Sequence, residues 1–141
     1  MAKSFSEQVR QFNKEAKDKQ NRILQEAIRL LLAEVINAMP KEDGNLANSV
    51  QVGFDGVKPI DHDNRATYAD PSGSNAMSLL SVEAGKPVYI SITAPYALRA
   101  NYGFTGQDAL GRLFNNRGAF YIQIGEAKWN GFVRQAAASV K

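Results

Sequence analysis

The chain of 141 residues has no cysteine, a single histidine and a single tryptophan. Without cysteine there are no disulfides and no thiolate-held zinc or iron–sulfur clusters, a composition that fits a reducing cytoplasm. With His62 as the sole imidazole and no Gly-x-Ser-x-Gly turn, nothing in the sequence marks an activated serine. Long apolar runs are lacking as well. The longest candidate, residues 27–39, is interrupted by Arg29 and Glu34, so no membrane span is expected. The first residues carry Lys3 and alternating charges without the apolar centre of a signal peptide, which points to a soluble protein.

Two partial motifs fail on the groups they are missing. Gly85-Lys86 sits as in a phosphate loop, but Leu80 stands at the first glycine and Pro87 at the hydroxyl that would bind Mg²⁺. Asp61-His62-Asp63, with Asp55 and Asp70 nearby, is acidic enough for a cation, yet neighbouring side chains diverge. The stretch also lacks the spacing and glycine of a calcium loop, and reads as a solvated acidic loop. No metal, no cofactor and no catalytic residue are expected.

The residues that are present suit a single domain. Hydrophobic residues make up 44% of the chain, and a domain of this size buries roughly two-thirds of its unfolded surface. Internal repeats and linkers are absent. The net charge of +3 is unevenly spread. Residues 1–41 carry eight Lys/Arg and five Asp/Glu, residues 42–92 three and seven, and residues 93–141 six and two. A uniformly basic surface would signal phosphate neutralisation. Alternating bands suit contacts between protein copies, or are solvated faces.

Periodicity supplies the elements. Ser4 with Glu7 forms a capping box ahead of Phe5, Val9, Phe12 and Ala16 at helical spacing. After a polar middle, Ile23, Ala27, Ile28, Leu31, Val35 and Met39 resume the apolar pattern, so one helix over residues 5–39 is expected. Such a helix outruns a small core. Phe5, Val9 and Phe12 are either a docking stripe on a projecting first part or are packed within the subunit.

Val50, Val52 and Phe54 alternate as a half-buried strand, followed by an Asp55-Gly56 turn and a short strand at 57–60. Residues 61–75 read as an exposed loop, and a short helix is expected from Asn75 to Ala84, capped by Ser74 or Asn75 and closed by Gly85. Val88, Ile90 and Ile92 make the clearest strand. Residues 103–118, glycine-rich with a helical turn near 107–114, read as a flexible segment: an ordinary surface loop, or one that orders on contact with a neighbouring subunit or DNA. Trp129, Phe132, Val133, Ala136 and Val140 carry a final helix against the sheet or the first helix, with Trp129 as a core anchor. The expected fold is α+β, with long N-terminal and C-terminal helices packed on a small antiparallel sheet.

Two segments carry more than element signals. Pro40-Lys41-Glu42-Asp43-Gly44-Asn45-Leu46-Ala47-Asn48-Ser49 follows the first helix: Pro40 stops it, Gly44 frees the turn, and Leu46 returns to the core. Pro95-Tyr96-Ala97 follows the strongest strand and leads to Tyr102-Gly103. In this order the chain resembles the tail-completion (head–tail joining, or neck) proteins of long-tailed bacteriophages, which share a Pro-x-Asp-Thr-Gly-x-Leu-x-x-Ser turn, then Pro-Tyr-Ala and an aromatic-Gly pair. Pro40, Gly44, Leu46 and Ser49 match the first motif; Pro95, Tyr96, Ala97, Tyr102 and Gly103 match the second. Glu42-Asp43 replaces the usual Asp-Thr, so the Asp43 carboxylate takes over the local cap, and Ala100-Asn101 stands where an acid is common. Gly131-Phe132-Val133-Arg134 resembles the start of the family's last helix.

The resemblance implies a single tail-completion-like domain over residues 1–141 and a non-enzymatic virion assembly protein at the head–tail interface. It further implies a homo-oligomeric ring, of six copies, around the DNA path, synthesised in the host cytoplasm. Its partners would be the tail tube or tail terminator and the head connector, with non-specific contact to DNA in the channel and none to membranes. A tail terminator capping the tube is the nearest alternative; a nucleic-acid-binding accessory protein and a hydrolase using His62 are the others. The motif residues are expected mainly to shape the fold, with Tyr96 and Tyr102 burying their rings and Arg134 solvated or paired within the subunit. The candidate interface residues are Phe5, Val9, Phe12, Phe104, Arg112, Phe114 and Arg117, the two arginines repeating around a ring.

Overall fold

The computed structural model describes residues 2–40, 44–61, 68–107 and 110–140, with the backbone alone at Phe114 and Asn116. It opens with helix α1, Phe5–Ala38. The Ser4 hydroxyl accepts from Glu7 N and the Glu7 carboxylate from Ser4 N, both at 3.2 Å, completing the capping box. At the other end Met39 takes an extended conformation (ψ 146°), as the residue before Pro40 must. No glycine or proline lies between, so α1 is one rod about 51 Å long. Ala27, Ile28, Leu32 and Val35 bury its second half, whereas every residue from Ala2 to Glu15 is exposed.

Gly44, at φ +76°, leads into the short helix α2, Asn45–Asn48, which drops Leu46 into the core. Strand β1, Val50–Gly53, then pairs antiparallel with β2, Tyr89–Ile92, setting Val50 opposite Ile92 and Val52 opposite Ile90. These four side chains share one face, and with Leu32, Val35, Met39, Leu46 and Tyr121 they build the core. Residues 57–61 run beside β2 without joining its ladder: Lys58 N donates to the Ser91 hydroxyl (2.8 Å) and Asp61 N to Thr93 O (2.9 Å). The second strand expected at 57–60 is therefore not formed, and Pro59, which has no N–H to give, accounts for its failure.

Helix α3 spans Ser72–Leu80, three residues earlier than the spacing predicts. Asn75 does not cap it. Thr93 N donates to Ser49 O (3.4 Å), so the alternation of an antiparallel pair turns the backbone groups of Val50 and Val52 to the opposite edge. There the Asn75 side chain accepts from Val52 N (3.1 Å) and donates to Val50 O (2.9 Å), filling the place of a third strand. The turn after α3 is fixed by the polar middle of α1. Asn21 Oδ1 accepts from Ala84 N (2.8 Å) and Gln25 donates to Val82 O (3.1 Å).

Helix α4, Ala97–Tyr102, follows β2. The next segment corrects the expected flexible loop: β3, Gly103–Gln107, and β4, Leu113–Arg117, form a separate antiparallel hairpin with Gly103 opposite Arg117. Its glycines and asparagines carry little strand propensity, so the pairing left no periodic trace. Helix α5, Tyr121–Ser139, closes the chain against α1. Gly131-Phe132-Val133-Arg134 thus lies mid-helix and does not start it.

Two glycines of α5 have opposite surroundings. A Cβ at Gly125 would lie 2.7 Å from Val35 Cγ2 and 2.8 Å from Leu31 Cδ1, so the helices touch there as closely as backbone permits. Nothing lies within 4 Å of a Cβ at Gly131. Val35 is stiff at χ1 in a helix and cannot yield. Gly125→Ala is therefore expected to destabilise the fold by about 1–3 kcal/mol through overpacking. Gly131→Ala is expected to stabilise it by about 0.5–1 kcal/mol through helix propensity. Denaturant titration of the two variants against the parent checks both signs.

Candidate assembly surfaces

The motif residues divide by burial. Leu46, Ser49 and Ala97 are buried. The Ser49 hydroxyl donates to Leu46 O (2.7 Å), and the Ser49 carbonyl accepts from both the N–H and, at 3.3 Å, the hydroxyl of Thr93. The two sequence motifs therefore meet across the sheet, since Thr93 and the fully buried Ala94 lead directly into Pro95. Gly44 and Gly103, at φ +76° and +89°, are the positive-φ corners of this frame. Pro40 is exposed, and Glu42 and Asp43 lie outside the described residues, as do His62 and Asp63 of the acidic cluster.

The tyrosines reverse the expectation. Tyr96 and Tyr102 do not bury their rings; they are 39% and 57% exposed. Tyr121, which sequence reasoning passed over, is the buried one at 1%, and its hydroxyl donates to Ala97 O at 2.6 Å. The signal available was the apolar Tyr121-Ile122 pair after Gly118. Burial pushes the Tyr121 hydroxyl up to about 12, with a smaller contribution from Tyr102.

Asn101, completely buried, binds the start of α5. Its Oδ1 accepts from Ile122 N (3.1 Å) and its Nδ2 donates to Gln123 Oε1 (2.9 Å). Phe120, the residue before the helix, sits at φ +50° and caps nothing with its own side chain. The Asn101 amide therefore provides the cap from α4. A carboxylate at this position could accept the same N–H. Ala119 N and Phe120 N donate to the carbonyls of Ala100 and Asn101, both at 2.9 Å. Gly118 is pressed so closely against this backbone that a Cβ would lie 2.4 Å from Asn101 O.

The candidate interface residues fall on two separate features. Phe5 (82% exposed), Val9 and Phe12 (69% exposed) line one side of the first turns of α1. Phe104, Arg112 and Arg117 belong to the hairpin or its turn, at the far side of α4. Phe104 is half-buried under the Arg99 guanidinium, 4.0 Å from its ring centroid, which ties the hairpin to α4. Arg112, Arg117, Leu110 and Leu113 are exposed, and nothing is described of the Phe114 side chain. Trp129 packs half-buried against the core. It borders a groove of about 350 Å³ lined by Leu31, Val35, Ile90, Ile92 and Ile122, with Glu126 as the charged lining residue. A second groove of about 480 Å³ lies between α1 and α3 and is lined by Arg22, Arg29 and Leu80. There the Arg29 hydrogen bond holds the Glu26 carboxyl below its usual range. Among the described residues no group of His, Asp and Glu is arranged to hold a metal, and no helix is long and apolar enough to cross a membrane.

Comparison with known families decides the class. The model of a family described as "Bacteriophage HK97-gp10, putative tail-component" matches residues 3–102. The chain belongs to this HK97-gp10-like family. It is thereby a bacteriophage tail component, a structural protein of the virion that works in contact with other virion proteins. The family match runs from α1 through α4 and takes in the first motif and the second up to Tyr102; the hairpin, which begins at Gly103, and α5 lie beyond it. No curated protein and no solved structure matches the chain.

Tyr121 gives a pH test of the packing between α4 and α5. Its folded value is raised above the ordinary 10, so the folded state keeps a proton that the unfolded chain loses. The stability this provides is complete below pH 10 and is lost as pH rises toward 12. Tyr121→Phe is expected to cost about 1 kcal/mol at neutral pH, and to flatten the fall in stability across that alkaline window. Urea midpoints at stepped pH read both effects.

Proposed function

We propose that this tail component completes the tail at the head–tail interface, as a non-enzymatic ring of identical copies around the DNA path. The observation that carries this reading is a helix whose first turns are firmly capped and apolar on one side, yet bury nothing in their own chain. Phe5, Val9 and Phe12, exposed together on one side of the helix, suit a protein neighbour. The two tail-completion motifs support the position in the particle. Their buried residues Leu46, Ser49 and Ala97 form a corner of the fold, and the features assigned to contact are the arm formed by α1 and the β3–β4 hairpin. The projecting arm serves copy-to-copy or connector contacts, and the hairpin faces the channel. Six copies repeating Arg112 and Arg117 would line that channel with cations suited to passing phosphates without reading sequence. The tail tube or its terminator lies on one side of the ring and the head connector on the other.

Electron microscopy of particles made without this chain is expected to show filled heads and separate tails. A map of complete virions is expected to place the chain at the neck. Joined, infectious particles in its absence would overturn the reading. The channel assignment has its own test. The double variant Arg112→Ala, Arg117→Ala should leave the purified protein folded and lower infectious titre by about tenfold or more through lost phosphate contacts. Unchanged titre removes the hairpin from the DNA path.

A further inference from the structure

We infer that the α1 arm of one copy seats Phe5 and Phe12 in the groove beside Trp129 of the next copy, a head-to-tail contact that repeats around the assembly. This rests on the ring reading above and specifies the surfaces that close it.

Helix geometry excludes the contact within one chain. The groove is walled by Leu31 and Val35 of the same helix, and Phe12 precedes Leu31 by 19 residues, or roughly 28 Å of rigid rod. At 100° per residue, Phe5, Val9, Phe12 and Ala16 lie on a line turned roughly 135° from the line of Ile28, Leu32 and Val35 that faces the core. The arm stripe is therefore a second surface, set off from the core stripe in both position and direction. Only another molecule can cover it.

Size and charge choose the groove. A cavity of ~150 Å³ holds a benzene ring, so the 350 Å³ groove has room for both phenyl rings. Residues 2–20 carry five Lys/Arg (Lys3, Arg10, Lys14, Lys17, Lys19) against three acids. The groove beside Trp129 presents Glu126 and no cation to that basic arm, whereas in the groove at α3 the Glu26 carboxylate is already paired with Arg29 and Arg22 leaves a positive balance. Every copy owns one arm and one groove, so the contact is heterologous and extends until it closes. The two phenyl rings offer on the order of 300–400 Å². One such contact buries less than the ~1,200 Å² of a stable pair, so association is weak for two copies and gains strength through closure.

The absence of cysteine makes the contact directly testable. Gln8 and Asn13 flank the stripe on opposite sides, so one of them meets Glu126 whichever way the arm lies; Lys14 is on the far side. Full-length Gln8→Cys or Asn13→Cys protein is mixed with Glu126→Cys protein and oxidised at roughly 0.1–1 mM, the range in which weak contacts populate. A disulfide-linked dimer is expected from one of these mixtures, a ladder from the corresponding double variant, and little product from Lys14→Cys with Glu126→Cys. Adding Phe5→Glu and Phe12→Glu, on a segment that buries nothing, should cut the yield by about tenfold or more. If the parent self-associates by sedimentation while the flank pairs link no better than the Lys14 pair, the arm-and-groove contact is wrong and the ring reading stands. If the parent stays monomeric throughout and nothing links, both are overturned.

Discussion

The fold rests on finding partners for backbone groups that two-stranded sheets and short helices leave open. A sheet of two strands offers each strand only one hydrogen-bonded edge, and a buried edge without partners costs about as much as several lost hydrogen bonds. Carboxamides solve the problem because one side chain carries both a donor and an acceptor at nearly peptide spacing. Asn75 supplies both to β1. Asn45 and Asn48 bracket the peptide of Tyr68 from one turn of α2, accepting from its N–H and donating to its carbonyl. Asn21 and Gln25 fix the 80–84 turn, and Asn101 starts α5. Among the described residues no buried side-chain nitrogen or oxygen lacks a partner.

This economy explains which parts of the structure were legible in the sequence. Helix α1 and strands β1 and β2 declare themselves by period, because each buries one continuous face. The boundary of α3 was misplaced because Asn75 was read as a local cap, while its amide bonds to a strand 23–25 residues earlier. No short-range pattern reports such a partner. Gly125 reads in sequence as a weak point of a helix. It marks instead the place where α1 and α5 come closest, and only the partner residues Val35 and Leu31 reveal the difference. The hairpin was invisible for a further reason: among its described side chains Phe104 packs on α4 while Thr105, Gln107, Leu113, Asn115 and Arg117 are exposed, so no alternation was required of them.

The candidate surfaces were legible in a different way. Phe5, Val9 and Phe12 repeat at helical spacing just as core residues do, and the sequence alone could not distinguish a buried stripe from an offered one. Burial separates them. The buried motif residues, by contrast, act as the frame: Ser49 and Thr93 join the two motif segments, Ala97 receives Tyr121, and the tyrosines at the rim remain outside. Charge follows the same division, with the arm and the C-terminal third basic and the middle of the chain acidic.

Because arm and core belong to one unbroken helix, the arm is locked in phase with the body. Each residue of α1 carries a turn of 100° and an advance of 1.5 Å. The polar stretch between Asn13 and Arg22 therefore works as a ruler whose content is its length. Apart from Asn21, which holds the 80–84 turn, its side chains can vary with little consequence, but a single residue gained or lost there would swing the arm's apolar line a quarter-turn or more from its bearing. In the proposed ring of repeated copies, that bearing would set the angle from one subunit to the next. A stretch of sequence that touches little is thus where the geometry of the whole is written.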